Sequence, residues 1–109
     1  NYSSMIKKAV LKIESDLLGD LSLKSFSESS KVSPEYFSAA FKRETGSTLT
    51  QFVKAKRIET AKHLLRNSDL QIQTVAQHCG IYDFHYFCRI FKQITGITPS
   101  EYRNSRSFR

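Results

Sequence analysis

At 109 residues and 39% hydrophobic side chains, the chain can build one domain or two very small ones. No apolar run approaches the ~20 residues that cross a bilayer, and the polar start Asn1–Ser4 leads into no signal-peptide core. The net charge is +7; a small basic domain suits a polyanionic partner, although charge alone does not name one. The two cysteines, Cys79 and Cys88, make no disulfide framework and fit a reducing cytoplasm. The chain begins at Asn1 rather than Met and reads as a fragment of a longer protein.

The punctuation is helical from end to end. No Asn-Gly or Asp-Gly hairpin turn and no long alternating pattern marks a strand. Ile6, Val10, Ile13 and Leu17 form one apolar stripe of a first helix, which Gly19 should end. Ser22 can cap a short second helix carrying Leu23 and Phe26. Ser33-Pro34 reads as a cap followed by a first-position proline, opening a third helix that stops at Gly46. Thr48 and Gln51 form a capping box for a long fourth helix bearing Leu49, Phe52, Val53, Ile58, Ala61, Leu64 and Leu65. A fifth helix spans Ile72 to Cys79 and ends at Gly80. Asp83 caps a sixth that ends at Gly96. Thr98-Pro99-Ser100-Glu101 opens a short seventh. All four glycines thus fall just past expected helix ends.

One segment occurs twice. YFSAAFKRETG (Tyr36 to Gly46) and YFCRIFKQITG (Tyr86 to Gly96) agree at six of eleven positions. The stretches before them also correspond: Leu23 with Ile72, Phe26 with Val75, Ser27 with Ala76, and Val32 with Ile81. The second turn holds one extra residue. A short helix, a tight turn with an apolar plug, and a longer second helix make a helix-turn-helix. Ser27 or Ala76 supplies the small residue where the two helices approach. The expected architecture is all-α: seven helices in two helix-turn-helix subdomains, about 5–47 and 68–109, joined by a linker helix over 48–67.

With Phe37 and Phe41 turned inward, Glu35, Ala39 and Lys42 point outward, flanked by Tyr36, Ser38 and Arg43. With Phe87 and Phe91 inward, His85, Arg89 and Lys92 point outward, flanked by Tyr86, Cys88 and Gln93, and Phe84 starts the helix. A major groove of DNA admits one helix, whose N-terminal residues reach base edges. Arg89 could grip guanine O6 and N7 together, whereas Ala39 could touch only a thymine methyl. Lys42 and Lys92 lie further along and suit phosphates. The expected DNA-binding set is Glu35, Tyr36, Ser38, Ala39, Lys42, Arg43, Phe84, His85, Cys88, Arg89 and Lys92. Leu49 to Arg66 would span roughly 27 Å of helix, against ~34 Å between successive major grooves on one face. The competing reading is a basic helical module that binds a protein partner.

The sequence resembles the AraC/XylS-type transcription regulators over about Met5 to Arg103. The likeness is carried by LSLKSFSESSKVSPEYFSAAFKRETG, FVKAKRIETAKHLL and IQTVAQHCGIYDFHYFCRIFKQITGITPSEYR. The resemblance implies seven helices in two helix-turn-helix subdomains bridged by a long helix. It also implies sequence-specific binding of promoter DNA and contact with RNA polymerase. A preceding sensor, receiver or dimerisation domain in the full-length protein is implied as well. Two departures stand out: Ala39 where many members carry arginine, and Lys31 where glycine is common in the first turn. Lys31 should strain that turn or stand near a phosphate.

Other chemistry has little support. His78, Cys79, His85 and Cys88 lie within eleven residues, but at no structural zinc spacing; Cys79 reads as a core residue. No nucleophile elbow, phosphate-cradling glycine loop or carboxylate pair suggests an enzyme, and no cofactor or membrane partner is expected. Arg57 reads as packing, or as pairing with a carboxylate between the subdomains, as readily as a DNA contact. Lys54, Lys56, Lys62 and Arg66 read as a solvated basic face. Arg103 to Arg109 reads as a frayed basic tail that adds phosphate attraction.

Overall fold

The computed structural model describes residues 1–105, which form seven α-helices and no strand. These are α1 (Ser4–Ser15), α2 (Leu23–Ser30), α3 (Pro34–Thr45), α4 (Leu49–Asn67), α5 (Ile72–His78), α6 (Phe84–Thr95) and α7 (Pro99–Ser105). The chain divides into two compact units, Asn1–Lys56 and Arg57–Arg109, with the division inside α4.

The caps explain the helix starts. Ser22, Ser33 and Asp83 accept the backbone N–H of Ser25, Tyr36 and Tyr86 at 3.1, 3.0 and 3.1 Å. Each bond satisfies a donor that the first helical turn would leave orphaned. Both capping boxes close: Thr48 with Gln51 at 3.1 Å in each direction, and Thr98 with Glu101 at 2.9 and 3.1 Å. Those bonds to Thr98 hold the Glu101 carboxyl below its ordinary range.

The first helix ends earlier than its apolar stripe suggests. It stops at Ser15, and Asp16 leaves helical geometry at φ −144°. Leu17 therefore packs against the core from outside the helix. Gly19 is not a helix cap. Its N–H bonds to the Asp16 carbonyl at 3.1 Å, and a Cβ there would stand 2.3 Å from Asp16 Oδ2. The other three glycines, Gly46, Gly80 and Gly96, take positive φ at helix exits. Cys79 caps α5 rather than belonging to it.

The two units repeat each other in detail. In the first turn the Val32 N–H bonds to the Ser27 carbonyl at 3.1 Å; in the second, the Ile81 N–H bonds to the Ala76 carbonyl at 2.9 Å. Ser27 and Ala76 are both buried, as close helix approach requires. After the longer helix, the hydroxyls of Thr45 and Thr95 each donate to the carbonyl four residues back at 2.8 Å. They then close matching turns on Ser47 and Ile97.

Each unit has its own core. In the first, Ile6, Ile13, Phe37 and Phe41 are fully buried, with Phe26 stacked on Phe37 at 5.6 Å and Phe52 edge-on to Phe41 at 5.2 Å. In the second, Ile58, Leu65, Val75, Phe87 and Phe91 are buried, with Tyr102 edge-on to Phe91 at 5.6 Å. No single apolar stripe runs the length of α4. Leu49, Phe52 and Val53 belong to the first core, and Ile58, Ala61 and Leu65 to the second.

Lys31 is the position in the first turn that pays for its side chain. It caps α2 at φ 59°, ψ 42°, the left-handed region, and is the sole non-glycine residue with positive φ among the described residues. Such geometry costs an L-residue about 1–2 kcal/mol. Lys31→Gly is expected to raise stability by up to about 1 kcal/mol once glycine's greater chain entropy is subtracted, measured as a higher guanidinium midpoint. Phe91→Ala is expected to cost about 3–5 kcal/mol; an unchanged midpoint would show that the buried face of α6 is misassigned.

Candidate nucleic-acid interface

The outward faces of α3 and α6 are set by what their inner faces bury. Phe37, Ala40 and Phe41 turn α3, and Phe87, Ile90 and Phe91 turn α6, with all six buried. Ala40 and Ile90 complete those inner faces alongside the phenylalanines. On α3 this leaves Glu35, Tyr36, Ala39, Lys42 and Arg43 exposed and Ser38 half-buried. On α6 it leaves His85, Arg89 and Lys92 exposed, while Phe84 and Cys88 are half-buried. Each set is gathered on one helix of its unit. The proline and serine cap of α3 and the aspartate cap of α6 fix where each helix begins.

The two faces differ in how their side chains are held. The guanidinium of Arg89 lies over the ring of Tyr86, 5.3 Å from its centroid. The matching pair in the first unit is Ala39 and Tyr36, and there the tyrosine ring is 58% exposed. The ring of Phe84 meets His85 edge-on at 6.2 Å. Cys88 packs against the second core, and burial pushes its thiol above the ordinary range.

Two arginines clamp the second unit. Arg57 donates to the Cys79 carbonyl at 2.7 Å. It thus joins α4 to the C-terminal end of α5, where a cation meets the helix dipole favourably. Burial lowers its pKa, while Cys79, Tyr82 and Tyr86 act in the opposite direction. This contact is to a backbone carbonyl within one unit. Cys79 is buried, and burial pushes its thiol up to about 11.

Arg103 is no frayed tail residue. It lies in α7 and donates to the carbonyls of Leu65 and Ser68 at 3.3 Å each, and to that of Leu70. One side chain thereby satisfies the backbone where α4 turns toward α5. Residues 106–109 of the expected tail lie outside the described residues.

Three of the basic residues of α4 have partners within the fold. Lys56 pairs with Glu14 at 3.3 Å. Lys62 and Arg66 lie over the Tyr102 ring at 5.9 and 5.2 Å. In the first unit, Glu44 accepts from the Ser3 backbone N–H at 2.6 Å and from its hydroxyl at 2.9 Å, tying the start of α1 to α3. None of these long-range partners carries a local sequence signal. Among the described residues, no three metal-capable side chains gather in one place, and no helix is long and apolar enough to cross a membrane.

Comparison with known proteins places this geometry. A family described as "Helix-turn-helix domain" matches residues 26–105. The regulatory protein PocR of Salmonella typhimurium is 35% identical over 94% of this chain, which spans 34% of PocR's length. The C-terminal domain of AraT, a response regulator from Geobacillus stearothermophilus, superposes with a TM-score of 0.92 at 33% identity, covering 97% of this chain and 88% of that one. The DNA-binding domain of AdpA, solved in complex with a target DNA, superposes with a TM-score of 0.92 at 25% identity, covering 98% and 97%. The chain belongs to the AraC-type helix-turn-helix family, the DNA-binding domains of transcription regulators. It spans about a third of PocR.

The clamp carries its own expectation. Arg103→Ala should lower stability by about 1.5–3 kcal/mol, the worth of a charged donor on the half-buried carbonyls of the α4–α5 turn. A change below about 0.5 kcal/mol, the range of ordinary surface substitutions, would show that water replaces it freely. Alkylation of the native chain near pH 8 should modify Cys88 and spare Cys79 until unfolding, read by mass spectrometry.

Proposed function

We propose that this chain binds double-stranded promoter DNA by inserting α3 and α6 into adjacent major grooves, with α4 as the linker between two reading heads. The observation that carries the proposal is the repeated unit. Two helices with equivalent turns and buried phenylalanine pairs present exposed faces that include Lys42 and Arg43, and Arg89 and Lys92. The DNA complex of the similar AdpA domain supports it.

Arg89 reads a base edge, and His85 and Phe84 border the same groove. Lys42, Arg43 and Lys92 hold phosphates, which fix register without reading sequence. Glu35, Tyr36, Ser38 and Ala39 supply the first unit's contacts, weaker in base discrimination because Ala39 offers only a methyl group. Cys88, half-buried, lies at the edge of the contact. The chain has no catalytic role. In the full-length protein a sensor, receiver or dimerisation domain precedes it, RNA polymerase is a partner, and the setting is the cytoplasm. The similarity to a response-regulator domain supports the receiver in particular.

Arg89→Ala is expected to cost about 1–3 kcal/mol and to relax preference at one base pair. Equal weakening on all sequences would make it a phosphate contact. Lys92→Ala should weaken all sequences alike and flatten the salt dependence by about one unit. A selection from random duplexes of about 25 base pairs, long enough for two major-groove sites one turn apart, should enrich two such blocks. Salt-insensitive binding with no enrichment would overturn the DNA reading.

A further inference from the structure

The two reading faces share one tyrosine, and it has different company in each. On α6 the Tyr86 ring is half-buried against the second core, and the Arg89 guanidinium covers it at 5.3 Å. On α3 the corresponding Tyr36 is 58% exposed, with Ala39 in the place of Arg89. Residues three apart on a helix are neighbours, so the stacking follows from the spacing. An arginine on an exposed helix face otherwise has many rotamers, and holding one of them before binding removes an entropic cost from recognition.

We propose that Tyr86 is a positioning residue for base readout: its ring holds the Arg89 guanidinium in one orientation before DNA arrives. This rests on Arg89 reading a base pair, as set out above. The ring is anchored from behind. Its inner side packs on the core that contains Phe87 and Phe91, and Tyr82 and Tyr86 both stand near enough to the half-buried Arg57 to act on its ionisation. Arg57 is in turn fixed to the Cys79 carbonyl. The flat ring is therefore a fixed surface on which the longer side chain rests. A planar guanidinium matches both a ring face and the paired acceptors of guanine.

The first unit has a tyrosine at the equivalent position, more exposed than Tyr86 and with no arginine beside it. Tyr36 is the third residue of α3, as Tyr86 is the third of α6, and it is 58% exposed. An arginine at position 39 would find the stacking surface already in place. The two faces differ at position 39 and in the burial of the tyrosine ring.

The test compares each variant on the selected duplex and on a duplex changed at the base pair that Arg89→Ala relaxes. The ratio of the two affinities is insensitive to any loss of folded protein. Tyr86→Phe, which keeps the ring, should keep the ratio. Tyr86→Leu, which keeps apolar burial but has no π face, should lower it about two- to fivefold, the range of an exposed cation–π contact. In the free domain the Arg89 side-chain protons should show ring-current shifts that persist in Tyr86→Phe and vanish in Tyr86→Leu. Ala39→Arg should add a base preference in the first block. A Tyr86→Leu ratio within error of the parent, with Arg89→Ala still relaxing that base pair, would overturn the positioning role and leave base readout standing. No relaxation by Arg89→Ala would overturn both.

Discussion

The structure depends on burying two phenylalanines one turn apart, twice. Phe37 and Phe41, and Phe87 and Phe91, are all fully buried. Each ring removes a large apolar area from water, which outweighs any preference the polar residues of α3 and α6 have for a particular rotation. Once those rings face inward, the 3.6-residue period leaves Ala39, Lys42, Arg89 and Lys92 no direction but outward. The interface is thus a consequence of core packing. The turn geometry follows from the same requirement: a buried Ser27 or Ala76 lets the helices approach, and the next apolar residue plugs the turn.

The two units solve one problem with different materials. The second turn uses Gly80 at positive φ and has one residue more. The first makes Lys31 take the left-handed conformation at an energetic cost. The second unit is also the more tightly braced of the two in its arginines. Arg57 and Arg103 both end on backbone carbonyls at helix ends or turns, where a planar, permanently charged donor satisfies acceptors that a helix terminus leaves open.

The base readout proposed for Arg89 would draw on a fixed side-chain geometry in the same unit. A reading side chain discriminates best when its geometry is fixed before binding, because less entropy is lost on contact. In the second unit Arg89 rests on a tyrosine ring that is itself packed on a core. In the first, the equivalent ring is bare and its neighbour is an alanine. The repeated units thus share a scaffold while their outward faces carry different side chains.

By itself the sequence determined most of the fold. The capping residues Ser22, Ser33, Thr48, Asp83 and Thr98 each act within three or four residues, so their pattern is local and legible. The duplicated segment located α3 and α6 and their buried faces, because apolar periodicity fixes a helix's inner face without knowledge of its partner. Where a local signal competed with chain geometry, the sequence misled. The stripe through Leu17 ran past the point where Asp16 leaves the helix, and Gly19 served a tight turn instead of a cap. Tertiary structure alone decided the long-range polar contacts: Arg57 on Cys79, Arg103 on the α4–α5 turn, Glu44 on Ser3, and Lys56 on Glu14. Those pairings join residues 22 to 42 positions apart. A charged side chain looks the same in sequence whether it meets water, a phosphate or a backbone carbonyl, and only the folded chain shows which acceptor lies within its reach.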